Sequence, residues 1–501
     1  MSSSPGHHRR AVSVSESGGE SAQYAYDPGG NLVAVRSGTS ALSVSGFNPA
    51  EGCPGQLVTL YGTGFAPVAS QNTARVGGAL APVQWATQTS IGFLIPQGAT
   101  SGRVSIAREG DSVTSAETLT VITALTISGF EPRMGRPGTT ITIRGHNFDP
   151  SASGNAVAVG NGTATVTSAN VASLLARVGS QSSGKVKVTA GGATATSAAD
   201  FFLLPGDFTT SDVAYAGRAD AAAATPIAGA DGRIHVLLFD GVQGQRVTVY
   251  TSGNTYASRT DVSIFRPDGA TFYSGVVPPY AEVKLVPGPL PSTGTYTAVI
   301  RPGPGSAGSL AVRILPEATG TFALEGAPLS LSLAAGQNGR VTFEGRAGDL
   351  VSLGWPSFTV LPSGPVSLTI LQPDGKILAN KSTSQPATWK LPALPVSGVY
   401  TLTLVPSDSA ATSMRLVGSR SLTGEIATDG TLARCELTLA GQYCRYVFQG
   451  VAGQRLTAQA TAASTFASPV AIAVLQPSGA TLSSANFSGG GSVKRDLGAL
   501  L

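Results

Sequence analysis

The sequence predicts an all-β chain of tandem β-sandwich modules of two kinds, on three observations. Gly (63) and Pro (32) recur between short Val-, Thr- and Leu-rich runs, the punctuation of many strands joined by tight turns. Within those runs apolar and polar residues alternate with period two, so each strand has one buried face, as a two-sheet sandwich requires. Two different sequence units repeat in tandem, and 501 residues exceed what one core organises, so several domains of about 100 residues are expected.

Composition removes several alternatives. Charged residues make up 12%, about half the usual share of roughly 25%, while apolar residues make up 42%; a disordered chain has the opposite balance. Glycine shows no three-residue period, so the chain is not collagenous. The net charge of +4 comes from basic residues scattered singly, and the one dense group is His7-His8-Arg9-Arg10. Nucleic acid is therefore not expected as a partner, since phosphate binding needs clustered cations. The densest apolar patch, Phe201–Leu204, falls far short of the roughly 20 residues of a membrane helix, so no membrane insertion is expected. The start, MSSSPGHHRRAVSVSESGGE, lacks the apolar segment of a secretory signal. Export by a route without such a signal, a start other than the native one, and a cytoplasmic location all stay open.

Residues 1–22, Ser/Gly-rich and without a periodic apolar face, read as a disordered tail. In YAYDPGGNLVAV (24–35) a turn at Asp27–Asn31 separates alternating Tyr, Leu and Val positions, so 23–39 reads as a small hairpin. Tyr26, Asp27, Gly30, Asn31 and Leu32 match YD-x-x-G-N-L, and this stretch resembles the YD repeat of the Rhs family.

SALSVSGFNPAEGCPGQLVTLYGTGF (40–65) then aligns without a gap with TALTISGFEPRMGRPGTTITIRGHNF (123–148). Each copy runs from an alternating strand (Leu42/Val44, Leu125/Ile127) to Gly-Phe, a Pro-Gly turn (Pro54-Gly55, Pro137-Gly138), a second alternating strand and a closing Gly-x-x-Phe (Phe65, Phe148). Units 40–122 and 123–204 resemble IPT/TIG immunoglobulin-like domains. The Asn usual before the closing Phe is present as Asn147 and is Gly64 in the first copy.

The remainder repeats another unit. FDGVQGQRVTV, FEGRAGDLVSL and FQGVAGQRLTA begin at Phe239, Phe343 and Phe448; IFRPDGATF, ILQPDGKIL and VLQPSGATL follow each in turn. LPSTGTYTAVIRP (290) and LPVSGVYTLTLVP (394) add a third anchor. Pro-Asp-Gly supplies a tight turn, and Gly before x-Tyr-Thr opens an alternating strand. These units, 205–316, 317–420 and 421–501, resemble bacterial pre-peptidase C-terminal domains. Of the acidic residue common before that family's hairpin strand only Asp261 fits, Pro365 and Pro469 standing in its region later. The fold expected is thus two Ig-like units followed by three jelly-roll or sandwich units. In the third, Leu500 aligns with Leu290 and Leu394, so that unit is expected to be incomplete, its residues from about 425 protease-sensitive, and the chain part of a larger polypeptide.

Chemistry is sparse. Of the four histidines, His7 and His8 lie in the tail, His146 reads as a polar turn residue and His235 as a packed strand residue. No His-Glu-x-x-His, Cys-x-x-Cys, Gly-x-Ser-x-Gly or P-loop appears, and GNGTATV (160–166) lacks the Lys and helix of a phosphate site. No catalytic residue, metal ligand or cofactor is expected, and Asp268, Asp374 and Asp231 read as turn residues. Calcium is the one metal weighed, for the loose group Asp207, Asp212, Asp220 and Asp231, which lacks a ligand spacing.

Aromatics in sandwich loops serve binding when exposed. The candidates are Tyr61, Trp85, Tyr256, Tyr273, Tyr280, Trp355 and Trp389; the pattern around Trp85 favours an inward position, and Pro356 favours a loop for Trp355. Cys53 stands alone in a Gly/Pro turn. In RCELTLAGQYCRYVF a hairpin turning near Leu439–Gly441 would set Cys435 opposite Cys444, within disulfide reach, to be bridged if exported and free if cytoplasmic.

The role these readings imply is a non-enzymatic spacer or presentation region of a bacterial Rhs-like or cell-surface protein, extracellular in location. Two others stay beside it: a module binding glycan or matrix, with carbohydrate or another surface protein as partner, and an accessory region of a secreted hydrolase.

Overall fold

The computed structural model describes residues 10–15, 20–26, 31–39, 41–180, 183–229, 232–305, 307–407, 409–439, 441–462 and 469–500. Strands account for nearly all its regular structure, with no α-helix among the described residues, so the all-β class holds. The chain divides into two compact units, Met1–Ile314 and Leu315–Leu501.

The first unit opens with an antiparallel three-stranded sheet of Arg10–Ser15, Glu20–Tyr26 and Leu32–Thr39, in which Tyr24 lies opposite both Val12 and Val35. The disordered tail expected through residue 22 is corrected for the described residues: the period-two sequence of AVSVS is enough to pair with the next strand. The Asp27–Gly30 part of the YD motif lies outside the described residues.

The next module packs a four-stranded sheet against a five-stranded one. The first runs Ser43–Asn48, Leu57–Thr63, Ser90–Leu94, Val83–Ala86; the second Glu51–Gly52, Asp111–Val121, Gly102–Arg108, Thr73–Val76, Ala79–Ala81. Val58, Leu60, Phe65, Ile91, Phe93, Val104 and Ile106 fill the space between them. The second copy repeats the plan with one difference. Ala79–Ala81 and Val83–Ala86 are separate strands in different sheets, whereas their counterpart Gly162–Asn170 is one strand paired on both sides. Pro82 causes the break, having no N–H to donate; Thr165 takes its place and pairs with Arg177.

Three repeated details hold the copies to one geometry. Gly64 (φ 73°) and Asn147 (φ 59°) occupy the same left-handed position, which explains why those two residue types exchange there. Asn72 and Asn155 are buried clamps. Asn72 Oδ1 accepts from Ala66 N (3.0 Å) and its Nδ2 donates to the Ala66 (2.8 Å) and Val68 (3.0 Å) carbonyls. Asn155 does the same for Asp149 and Ser151. Ser115 and Ser197 accept from Val104 N and Val186 N at strand irregularities.

Residues 205–316 form a sandwich fused to the second Ig-like copy. Leu204, Val213, Ile234, Val236 and Val299 make a small core of their own with Met134, Phe202 and Phe265. Beside it Arg218 reaches Asp200 (3.1 Å) and Asp240 (2.8 Å), and Ser183 meets Thr297 (3.2 Å). The sandwich proper has a five-stranded sheet, Val213–Arg218, Ile234–Gly241, Gly294–Pro302, Thr260–Phe265, Thr271–Val277, and a four-stranded one, Thr225–Gly229, Gly308–Pro316, Val247–Ser252, Val283–Leu285.

The second unit begins with the same sandwich. Its sheets run Ala318–Thr321, Gly339–Gly345, Gly398–Pro406, Val366–Leu371, Ile377–Thr383, and Leu329–Leu333, Ala411–Arg420, Val351–Leu361, Ala387–Lys390. The ring pair Phe239–Tyr296 (5.3 Å) of the earlier sandwich recurs as Phe343–Tyr400 (5.6 Å). After it, residues 421–500 carry only two-stranded ladders among the described residues: Leu422–Glu425 with Cys444–Val447, Arg455–Thr461 with Ser492–Ala499, and Val470–Leu475 with Thr481–Phe487.

Candidate functional site

The described histidines are structural. His146 Nδ1 lies 3.1 Å from the Thr126 hydroxyl across two paired strands. His235 is buried, and burial with the nearby Arg233 charge pushes its imidazole below the ordinary value. No group of three His, Cys, Asp or Glu side chains suited to a metal occurs among the described residues. The acidic group weighed for calcium is dispersed: Asp207 meets Arg136, Asp212 bonds Thr209, Asp220 accepts from Ala222 N, and Asp231 lies outside the described residues. Asp268 and Asp374 accept the backbone N–H two residues on, as turn residues do.

The aromatic candidates separate by burial. Tyr256 and Trp355 are wholly buried and Trp389 nearly so. The loop expected for Trp355 is corrected: it lies within strand Val351–Leu361, where Pro356 falls in a shift of register, and its Nε1 donates to the Gln385 carbonyl (3.0 Å). Tyr273 is half-buried, and Tyr280 is exposed at a left-handed turn position.

Tyr61 and Trp85 stand on one sheet face. Trp85, expected inward, is 39% exposed, and Tyr61 is 45% exposed. A β-bulge explains the correction for Trp85: the register shifts between Gly92 and Phe93, so Val83 packs on the core opposite Phe93 while Trp85, opposite Gly92, turns outward. Trp85 lies opposite Gly92, which lies opposite Thr59; Tyr61 is two residues further along, opposite Ser90 on one side and Gly46 on the other. Two strand spacings and two residues separate the aromatics, roughly 12 Å on the diagonal. Glycines make the face flat. A Cβ on Gly92 would fall 2.2 Å from Trp85 Nε1, so the indole rests on bare backbone, and a Cβ on Gly46 would meet nothing within 4 Å. Hydroxyls rim the face: Thr87 and Ser90 pair at 2.8 Å, and Thr59 lies between the aromatic rows.

The second Ig-like copy has the same backbone without the aromatics. There Arg144 lies opposite Gly129 and Ser173, and Ser168 opposite Leu175. The feature thus belongs to the first copy alone, and its signal in the sequence was the pair of differences Tyr61/Arg144 and Gly92/Leu175 in the alignment of the two copies.

Cys53 is buried, its Sγ donating to the Val171 carbonyl at 3.4 Å, and burial pushes its thiol up. Cys435 and Cys444 are joined, with Cα atoms 6.0 Å apart. The hairpin drawn around them is corrected: residues 431–439 lie in no strand, and Cys444–Val447 pairs in parallel with Leu422–Glu425. In the preceding sandwich the equivalent turn joins strands of opposite sheets, Leu329–Leu333 and Gly339–Gly345, and here too Cys435 and Cys444 are not partners in one ladder.

Residues 42–121 and 125–209 each match the IPT/TIG domain, so the chain carries two of these Ig-like domains in tandem. Among curated proteins none matches. Among solved structures the chain is similar to an auxiliary nutrient binding protein from Bacteroides ovatus (23% identity, 19% of this chain and 24% of that one, TM-score 0.17). It is also similar to SGBP-B of a Bacteroides ovatus mixed-linkage glucan utilization locus, in complex with a mixed-linkage heptasaccharide (13%, 58% and 80%, 0.24). A third is SGBP-B from a complex xyloglucan utilization locus in Bacteroides uniformis (14%, 55% and 98%, 0.20). The chain spans about a quarter of the first of these structures.

Proposed function

We propose that this is a non-catalytic, surface-presented modular protein whose first IPT/TIG domain binds an extended glycan on the Tyr61–Trp85 face. The observation that carries the reading is the indole laid on Gly92 with its outer surface open, one diagonal from a second exposed ring. Sugar rings have apolar C–H faces that stack on aromatics and hydroxyl edges that bond to hydroxyls. A flat aromatic shelf rimmed by Thr and Ser offers both. A glycan array probed with the whole chain tests this: polysaccharide fragments should be retained, and Trp85→Ala should abolish retention.

A second reading, a spacer without a ligand of its own, is favoured by the fused core between residues 134–204 and the following sandwich, which stiffens that junction. The Tyr26-to-Leu32 match supports an Rhs-like or other cell-surface setting. Adjacent coding sequence rich in YD repeats would support it, and a protease or glycosidase domain there would favour the hydrolase accessory reading.

A further inference from the structure

Resting on the glycan reading of the Tyr61–Trp85 face, we propose that its ligand is an uncharged polysaccharide and that chains bearing carboxylate or sulfate groups are rejected there. The strand register sets the face out in transverse rows. Asn48 lies opposite Thr59, Thr59 opposite Gly92, and Gly92 opposite Trp85, so one row crosses all four strands. Gly46, Tyr61 and Ser90 make the next row on one side, and Leu57 with Leu94 the next on the other. Val58, Leu60, Ile91 and Phe93, which alternate with them, point into the core. The three rows hold no charged side chain.

The fold does not impose this. The second IPT/TIG copy presents the same rows with ions on them. In the gapless alignment of the two copies Glu131 stands where Asn48 does, Arg144 where Tyr61 does, and Arg177 where Leu94 does, and all three are exposed. Their registers are those of the first copy: Glu131 lies opposite Thr142, Arg144 opposite Gly129 and Ser173, and Arg177 opposite Thr140. A sandwich of this register therefore accepts charge at each position, and the first copy carries Asn, Tyr and Leu there instead.

The chemistry of the occupant follows. A sugar stacked on Trp85 turns its apolar C–H face to the indole and its hydroxyl edge along the row, toward Thr59 and Asn48. Neither the Thr59 hydroxyl nor the Asn48 amide is engaged by another group among the described residues, and each can both donate and accept. A carboxylate or sulfate on the same rows would give up hydration against an indole, two leucines and neutral hydroxyls, with no cation to offset the loss. Rejection of acidic chains thus comes from an unpaired charge and not from a clash. With no ion pair across the contact, binding should be nearly independent of ionic strength.

The test titrates the full chain, by calorimetry, with mannan, galactan, xylan, arabinan and dextran, each beside its carboxymethylated derivative, and with polygalacturonate. The expected result is that an uncharged chain binds and its carboxymethylated form binds at least tenfold more weakly. Raising NaCl from about 50 to about 500 mM should change the affinity of the uncharged chain less than about twofold. Leu94→Arg, which copies Arg177, should raise the affinity for the carboxymethylated chain at least about fivefold at low salt, and the gain should vanish at high salt. Leu57→Arg, opposite it and equally outward, repeats that measurement should Leu94→Arg unfold. Binding of an acidic chain as tight as that of its uncharged parent, or of acidic chains alone, would overturn the inference; if Trp85→Ala abolishes that binding, the Tyr61–Trp85 face stands as the glycan site. A folded Leu94→Arg or Leu57→Arg without any gain would likewise overturn it. Binding that Trp85→Ala leaves untouched, or binding of no chain at all, would overturn the face itself and this inference with it.

Discussion

The indole of Trp85 rests on the backbone of Gly92, its cross-strand partner, where any side chain at position 92 would collide with it. Gly92→Ala should therefore lift the ring without touching the core. Of the three tryptophans Trp85 alone is substantially exposed, so its acrylamide quenching reports the change. Quenching should rise in Gly92→Ala and the exposed component vanish in Trp85→Phe. An unchanged quenching curve for Gly92→Ala would mean the ring does not lie on that glycine.

Asn72 satisfies three backbone groups at once, two of them, Ala66 N–H and C=O, buried. Asn72→Ala leaves them unpaired and should destabilise the first IPT/TIG domain by about 2–4 kcal/mol, since each stranded buried group costs roughly 1–3 kcal/mol with partial relaxation. Denaturant unfolding at unchanged m-value measures it; a loss under about 0.5 kcal/mol would contradict the clamp.

Acid should loosen the 205–316 sandwich in two steps. His235 is held below its ordinary value by burial and by Arg233. Its neutral form is the folded one, so its contribution is present above about pH 6.5 and is lost as pH falls from there through the depressed folded value. For Asp240 burial acts upward, but the hydrogen bonds from Arg218 and Thr295 prevail and leave the carboxyl below the usual range. Its contribution is present above about pH 3.9 and is lost as pH falls through the folded value. Melting temperature followed from pH 7.5 to 5 should decline, and His235→Leu should flatten that decline. A parallel slope in the variant would remove His235 from the account.

Protein made in an oxidising compartment should carry the Cys435–Cys444 bridge while Cys53 stays a buried thiol. Under denaturing conditions without reductant, one cysteine should label, and all three after reduction. Three labelled before reduction would exclude the bridge.

Much of the fold was legible because repetition doubles every signal. The gapless match of Phe47 and Phe65 to Phe130 and Phe148 set the Ig-like pair, and the recurrence of Phe239 at Phe343 set the two sandwiches that follow. Position on a strand was less legible. Trp355 next to a proline reads as a loop, yet a register shift absorbs Pro356 inside the strand. Trp85 reads as inward because period-two counting from the core-facing Val83 runs through a bulge that shifts the register between Gly92 and Phe93. Cys435 and Cys444 read as a hairpin because a turn between two runs does not say whether they share a sheet. The candidate face was hidden for the same reason: a flat aromatic shelf depends on which glycine lies across from which ring, and that is a register.

Titration of polysaccharide fragments of increasing length into the whole chain and its Tyr61→Ala and Trp85→Ala variants tests the central claim most directly. Affinity should grow until the fragment spans both rings. Each variant should then bind at least tenfold more weakly, with its melting temperature little changed, because both side chains are exposed. Tight binding by a fragment that both variants hold as well as the parent chain would contradict the assignment of this face, and binding of no fragment would leave the spacer reading in its place.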